Sequence, residues 1–386
     1  VKKYSSLRGK AFLFLVFIWF VWFMTFTARS ILSPVLPLIE DEFVVSHAKA
    51  TSIFTVNGIG YTLSLFLSGT FASLFGPRKS ILLATIVTGI ALLLFPLVRT
   101  FELYYVLAFV LGMSLGVYMP SVIPLITDYY EERLWSNAIA IHGSAPSVSV
   151  FLTPFIALGI LVFFPWRAVF ILPGLVFLLC AFIFYFITDE VTFSKEKHYF
   201  LGSLLRQRTI WIIGIVWIFS AGANIGLYFV IPLYLVKELA LDVEYANTIF
   251  GLSRLGGAIL TIVAGFLVDR FSLKRASFVL VLATGIFTVL LALGNARWIP
   301  VFLFLQASIS PTVFPVGYVA VAKLFSQEQR GQATGFVLTI SMIGTGLVPY
   351  FLGLSGDYWS FRHGIFLLGI LTALSSGLFY TLKELQ

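Results

Sequence analysis

Long apolar runs separated by short polar breaks make up almost the whole of this chain. The runs fall near residues 11–38, 48–74, 80–98, 103–127, 137–163 and 168–188, then near 209–236, 246–268, 276–294, 298–322, 332–355 and 362–382. Between the two sets lies a more polar stretch, "TDEVTFSKEKHYFLGSLLRQRT", residues 188–209. About 20 apolar residues in a helix cross about 30 Å of hydrocarbon. The pattern therefore predicts an all-α membrane protein with twelve transmembrane helices. The expected domains are residues 1–188, a connector over 189–208, and residues 209–386. The first run exceeds the ~7–15 apolar residues of a signal peptide's core, so it is expected to remain as a span.

Composition agrees with this pattern: 59% of the 386 residues are hydrophobic and 11% are charged, and the mean hydropathy is +1.00. A soluble domain has nearer ~25% charged residues. The net charge of +8 is scattered over short loops, which speaks against nucleic acid as a partner and for orientation in a bilayer. With the N-terminus in the cytoplasm, inner loops hold seventeen of the 25 Lys and Arg and outer loops hold six. That asymmetry predicts a multi-pass protein of the cell's inner (plasma) membrane with both termini cytoplasmic. The remaining two cations, Arg29 and Arg254, fall inside spans. Cys180 is the sole cysteine and lies in an apolar run, where it reads as a packing residue.

The two halves resemble each other at a shift of about 195 residues. "YMPSVIP" (118–124) matches "VFPVGYV" (313–319), "FLTPF" (151–155) matches "GLVPY" (346–350), and "PWRAVFILPG" (165–174) matches "SFRHGIFLLG" (360–369). "FTVNGIG" (54–60) matches "FGLSRLG" (250–256), and Trp19 and Pro34 match Trp217 and Pro232. These ordered matches predict a duplicated unit and two pseudo-symmetric six-helix bundles. Internal repeats of this kind mark secondary transporters, whose substrate site lies near the midplane at the repeat interface.

The loop after the expected eighth span reads "GFLVDRFSLKR", with Gly265, Asp269, Arg270, Lys274 and Arg275. After the second span stands "GTFASLFGPRK", with Gly69, Gly76, Arg78 and Lys79. The chain thereby resembles the major facilitator superfamily, whose loops carry G-x-x-x-D-[RK]-x-G-x-[RK]-[RK]. The resemblance implies the major facilitator fold and alternating access. It also implies a conformational latch at Gly69, Arg78, Gly265, Asp269 and Arg270. Ser73 stands where the family has its acid, so the latch is expected to be weaker or built differently in the first half.

All seventeen Asp and Glu fall in loops or at span ends. A cation site normally needs an intramembrane carboxylate, so this distribution argues against one. Arg29 and Arg254 lie at similar depth, roughly one helical turn outward of each span's centre. A guanidinium fork suits carboxylate, phosphate or sulfonate oxygens. One arginine per half therefore predicts an anion as substrate and counter-ion, and the resemblance places both positions among the cavity-lining spans. The alternative for Arg29 is a side chain that snorkels outward or bonds carbonyls freed near Pro34 and Pro37. Asn224 and Tyr228, four apart on one helix face, could complete a substrate-binding pocket, as could Tyr61, Tyr118, Gln306 and Ser310. For any one of these, an interhelical hydrogen bond is the competing reading. His142 is the histidine inside a span and the candidate for carrying a coupled proton. Gly112, Gly116, Ser144, Ser147 and Ser149 read as close-packing faces.

No P-loop, dinucleotide fingerprint or Cys/His metal spacing is present, so neither an enzyme, a cofactor nor a metal is expected. The expected function is secondary transport of small organic anions, monocarboxylate-like, by alternating access, with symport of a proton as the candidate coupling. The short stretch "ARSILSPVLPLI" (28–39) looks like the first helix of organic-anion, phosphate-ester and cyanate carriers in the superfamily. Competing readings are an exporter of amphiphilic drugs or lipids, an inorganic-anion or cyanate-type carrier, and, last, a non-transporting membrane sensor. The expected partners are a small anionic substrate and the lipid bilayer, with the protein acting as a monomer.

Overall fold

A computed structural model of the protein describes residues 4–189, 205–257, 259–260, 272–326 and 330–382. Among the described residues, 11 helices are long and apolar enough to cross a membrane. Six precede the polar connector, from Lys10–Phe43 to Trp166–Ile187, and five follow it, from Arg208–Glu238 to Phe361–Thr381. Where the eighth span is expected, helix Val243–Ser253 begins it, and much of the remainder lies outside the described residues. No strand occurs among the described residues, whose single β-type contact is an isolated bridge between Tyr4 and Tyr130. The protein is an all-α membrane protein, as lipid requires of a chain that must satisfy each backbone group within its own segment.

Proline and glycine explain where these helices break. The first span is two helices, Lys10–Ser30 and Leu32–Phe43, joined at Ile31. Pro34 and Pro37 lack the N–H that the carbonyls of Ser30 and Ser33 would otherwise accept, so regular helix fails just beyond Arg29. The second and third spans, His47–Leu67 and Leu74–Leu97, turn into each other at Gly76. Its φ of 72° lies in the left-handed region, which glycine occupies without Cβ strain, and Pro77 then opens the next segment.

The internal repeat is visible in the backbone itself. Val44 and Ala240 both adopt positive φ, 49° and 52°, which is uncommon for any residue with a Cβ. Each occupies the turn after the first span of its half, and three residues later a new helix starts, at His47 and at Val243. Both correspondences carry the shift of 196 at which "FTVNGIG" matches "FGLSRLG".

The contacts divide the chain into two units, residues 1–35 with 56–197, and residues 36–55 with 198–386. In the first unit the second and fourth spans touch backbone to backbone. A Cβ on Gly112 would strike the Asn57 carbonyl oxygen, and one on Gly116 would meet the Tyr61 carbonyl oxygen at 2.6 Å. The close-packing faces expected at these two glycines are thus present. In the second unit, Gly344 packs against the Ile218 carbonyl oxygen in the same manner, bringing the eleventh span, Ala333–Tyr358, onto the seventh.

Residues 36–55 join the second unit through specific contacts. Thr55 Oγ1 donates to the Gly346 carbonyl at 2.6 Å, and the Phe54 ring stacks on Phe229 with centroids 4.4 Å apart. The Asp357 carboxylate accepts the backbone N–H groups of His47 and Ala48 at 2.8 and 3.0 Å. These are orphan donors at a helix start, and a negative group there is favoured by the helix dipole as well.

Candidate functional site

Each unit buries one arginine against one tyrosine. Arg29 stands in the last turn of the first helix of the first span, and its guanidinium carbon lies 4.3 Å from the centre of the Tyr61 ring on the second span. Arg254 follows helix Val243–Ser253, and its guanidinium carbon lies 4.6 Å from the centre of the Tyr228 ring on the seventh span. The two arginines are only 7% and 6% exposed, which makes each a charge held away from water. Stacking on an aromatic face recovers part of the lost hydration.

The two halves exchange the roles of their helices. In the first unit the first span carries the arginine and the second carries the tyrosine. In the second unit the corresponding seventh span carries the tyrosine, and the arginine comes from the chain segment of the eighth. At a shift of 198, Arg29 falls on Leu227, next to Tyr228; at a shift of 196, Tyr61 falls on Gly257, three residues past Arg254. This near-register was present in the sequence, but pairing by residue type alone misses it because the types are swapped.

Around Arg254 the partners are neutral. Its Nη1 donates to Asn224 Oδ1 at 3.2 Å, and Ser310 Oγ donates to the same oxygen at 3.2 Å. Asn224 stands on a π-helical turn, Gly222–Gly226, within the seventh span. Such a turn widens the helix by one residue and is frequent at functional sites. Gln306, on the tenth span, Ile299–Val321, reaches the same turn, its Nε2 donating to the Ala223 carbonyl at 2.7 Å and to Thr288 Oγ1 at 3.3 Å. The structure therefore brings together Arg254, Asn224, Tyr228, Gln306 and Ser310. The π-helical turn is a feature that sequence reading did not supply.

Around Arg29 the first and fifth spans share hydroxyl contacts, Thr27 Oγ1 with Ser149 Oγ at 2.9 Å and Ser30 Oγ with Thr153 Oγ1 at 3.3 Å. Tyr118 belongs to a different cluster. Its hydroxyl donates to the Ile18 carbonyl at 2.8 Å and lies 3.3 Å from His142 Nε2. The Trp22 ring stacks on both, 5.1 Å from Tyr118 and 5.8 Å from His142. His142 is fully buried, and its Nδ1 has no hydrogen-bond partner among the described residues. Trp22 is a member of this cluster that nothing in the local sequence singled out.

Of the expected latch, Gly69 lies within helix His47–Leu94. Arg78 donates from Nη2 to the Tyr185 carbonyl at 2.6 Å and from Nε to Thr188 Oγ1 at 3.0 Å, tying the third span to the sixth. Gly265, Asp269 and Arg270 lie outside the described residues.

A second charged cluster, unforeseen from sequence, sits in the second unit at the turn after residue 40. Glu40 is 6% exposed, pairs with His47 Nδ1 at 2.8 Å and has Lys237 Nζ at 3.7 Å. Lys237 also bonds Asp41, and Arg362 Nε lies 3.5 Å from Glu238. Every one of these residues lies near a helix end, which keeps these carboxylates away from the middle of the spans.

Family sequence patterns decide between fold likeness and kinship. The pattern of the Major Facilitator Superfamily matches residues 18–293 and again 213–385. The chain belongs to the major facilitator superfamily. Among curated relatives, this superfamily member is 23% identical over 362 residues to a probable hexose phosphate transport protein of Chlamydia trachomatis, covering 82% of this chain and 78% of that one. It is 23% identical over 376 residues to the hexuronate transporter of Bacillus subtilis, covering 88% and 86%. Its fold matches a bacterial homologue of the human lysosomal transporter Spinster, solved in an inward-facing, occupied conformation, with TM-score 0.85, 17% identity and 98% of each chain covered. As a major facilitator the protein is a multi-pass membrane transporter, not an enzyme.

Proposed function

We propose that this protein is a secondary transporter of small organic anions, monocarboxylates foremost, working by alternating access. The observation that carries this reading is Arg254, a buried guanidinium whose described partners, Asn224 Oδ1 and the Tyr228 ring, are all neutral. A buried cation held by neutral groups keeps an electrostatic demand that an anionic substrate meets. Arg29 on Tyr61 supplies a second buried cation, and no Asp or Glu lies in the middle of any described span. Relatives that carry hexose phosphate and hexuronate, both anions, support the same substrate class.

In this reading Arg29 and Arg254 each bind the anionic group during the cycle. Tyr61, Tyr228, Asn224, Gln306 and Ser310 orient the fork or touch the remainder of the substrate. Tyr118 holds His142, which carries the coupled proton. Two bundles, residues 1–188 and 209–386, joined by the connector 189–208, rock to expose the site alternately. The latch at Gly69, Arg78, Gly265, Asp269 and Arg270 sets the balance between the two states. Both termini lie in the cytoplasm, as the excess of Lys and Arg in the loops on that side favours.

Purified protein in proteoliposomes tests the proposal, with uptake of labelled monocarboxylates, sugar phosphates and cyanate. Arg29→Ala and Arg254→Ala should each lower anion uptake by tenfold or more, on the order expected when a charge-assisted pair is lost. Undiminished uptake in both variants would remove the arginines from the site. Binding of an anion without any flux would favour a sensor over a transporter.

A further inference from the structure

Arg254 Nε and Gln306 Oε1 are among the polar atoms that the hydrogen bonds around Arg254 leave unmatched. Asn224 Oδ1 accepts twice, from Arg254 Nη1 and Ser310 Oγ. Gln306 Nε2 donates twice, to the Ala223 carbonyl and to Thr288 Oγ1. Arg254 Nε has no acceptor among the described residues, and Gln306 Oε1 has no donor. The orientation of the Gln306 amide is settled by its surroundings. Turning it over would set Oε1 against the Ala223 carbonyl oxygen, acceptor facing acceptor. Gln306 is 1% exposed, so its unmatched carbonyl is held away from solvent.

The unmatched donor and the unmatched acceptor belong to one neighbourhood. Gln306 and Ser310 stand one helical turn apart and share a face. Ser310 touches Asn224, Asn224 touches Arg254, and Gln306 bonds the residue next to Asn224. A plain carboxylate would satisfy the guanidinium and leave Gln306 Oε1 without a donor. A carboxylate that also bears a hydroxyl brings a donor for that carbonyl as well.

Resting on the anion-transport reading above, we propose that Gln306 Oε1 accepts a hydrogen bond from a substrate hydroxyl, so that the transported anion is a hydroxy-substituted carboxylate. Gln306 is then the residue that sets specificity, while Arg254 takes the charge. A buried acceptor left unpaired penalises the analogue that lacks the hydroxyl.

The test compares hydroxylated acids with their deoxy counterparts, lactate with propionate and 3-hydroxybutyrate with butyrate. Each is scored as a competitor of uptake and as a thermal stabiliser of the purified protein. In the wild type the hydroxylated member of at least one pair should bind about tenfold tighter or better. Gln306→Met, which keeps the length and removes the carbonyl, should bring that pair within about threefold by weakening the hydroxy acid alone. Gln306→Asn, which withdraws the carbonyl by one methylene, should do the same and serves if the methionine variant does not accumulate. Equal binding of both members to the wild type overturns the proposal and assigns the Gln306 carbonyl to water. A preference that survives both substitutions also overturns it. If none of the acids binds, or binding is indifferent to Arg254→Ala, the anion reading falls together with this one.

Discussion

The Arg254 guanidinium lies over the Tyr228 ring, 4.6 Å from its centre, while its Nη1 reaches Asn224 one helical turn away. Both contacts come from the seventh span, so a single helix face positions the cation in two directions. Replacing Tyr228 separates the ring from the hydroxyl. Tyr228→Phe keeps the aromatic face and should leave anion KM within about twofold. Tyr228→Leu should raise KM about two- to thirtyfold, the effect of losing about 0.5–2 kcal/mol of cation–π attraction. Uptake kinetics distinguish the two, and equal KM in both variants would argue that the ring does not hold the fork.

Asn224→Leu removes an acceptor shared by Arg254 Nη1 and Ser310 Oγ. A hydrogen bond to a charged group contributes about 1.5–3 kcal/mol, so the variant should lose affinity for anions by roughly ten- to a hundredfold. Asn224→Asp replaces the acceptor with a carboxylate that pairs with the arginine. That variant should accumulate well and yet lose anion uptake, since the guanidinium has then found its counter-ion within the protein.

Gly112 lets the fourth span, Phe101–Tyr129, lie on the Asn57 backbone. Gly112→Val should lower the unfolding temperature in detergent because the helices must separate to admit the side chain, at a cost of about 1–3 kcal/mol or more. Gly143, with open space around it, is the matched control, and Gly143→Ala should leave the unfolding temperature nearly unchanged.

Asp357 closes the start of the helix at His47 by accepting the amides of His47 and Ala48. Asp357→Ala should speed hydrogen exchange of the first turn of that helix about fivefold, the equivalent of about 1 kcal/mol of lost capping. Exchange in helix Val243–Ser253, whose cap is the side chain of Asp242, should be unaffected.

His142→Phe tests the proton route without dismantling the ring cluster, since phenylalanine can still stack beneath Trp22. Uptake at uniform pH should persist, and its stimulation by an imposed proton gradient should disappear. Stimulation equal to that of the wild type would take His142 out of the proton path.

Much of this architecture was legible along the chain. The apolar runs foretold the spans, because a helix in lipid must be long and apolar whatever its neighbours. Arg29 and Arg254 stood out for the same reason, as the two cations placed where charge is costly. The repeat could be read from five short matches, and the backbone answered with two positive-φ turns at Val44 and Ala240.

Pairwise placement was not legible. Which tyrosine lies beneath which arginine depends on helix rotation and crossing, and no local period encodes either. Tyr61 and Tyr118 looked equally suited to a pocket in the sequence. Packing set the first under Arg29 and bound the second to His142 and Ile18.

The chain alone determined a helical, membrane-spanning, duplicated protein with one cation inside each half, since bilayer solvation acts on every segment separately. Tertiary structure alone decided the crossed Arg–Tyr pairs, the π-helical turn that offers Asn224, and the Glu40, His47 and Asp357 contacts at the helix ends. Those arise where residues far apart in sequence meet, and contact distances of a few ångströms are a property of packing, not of pattern.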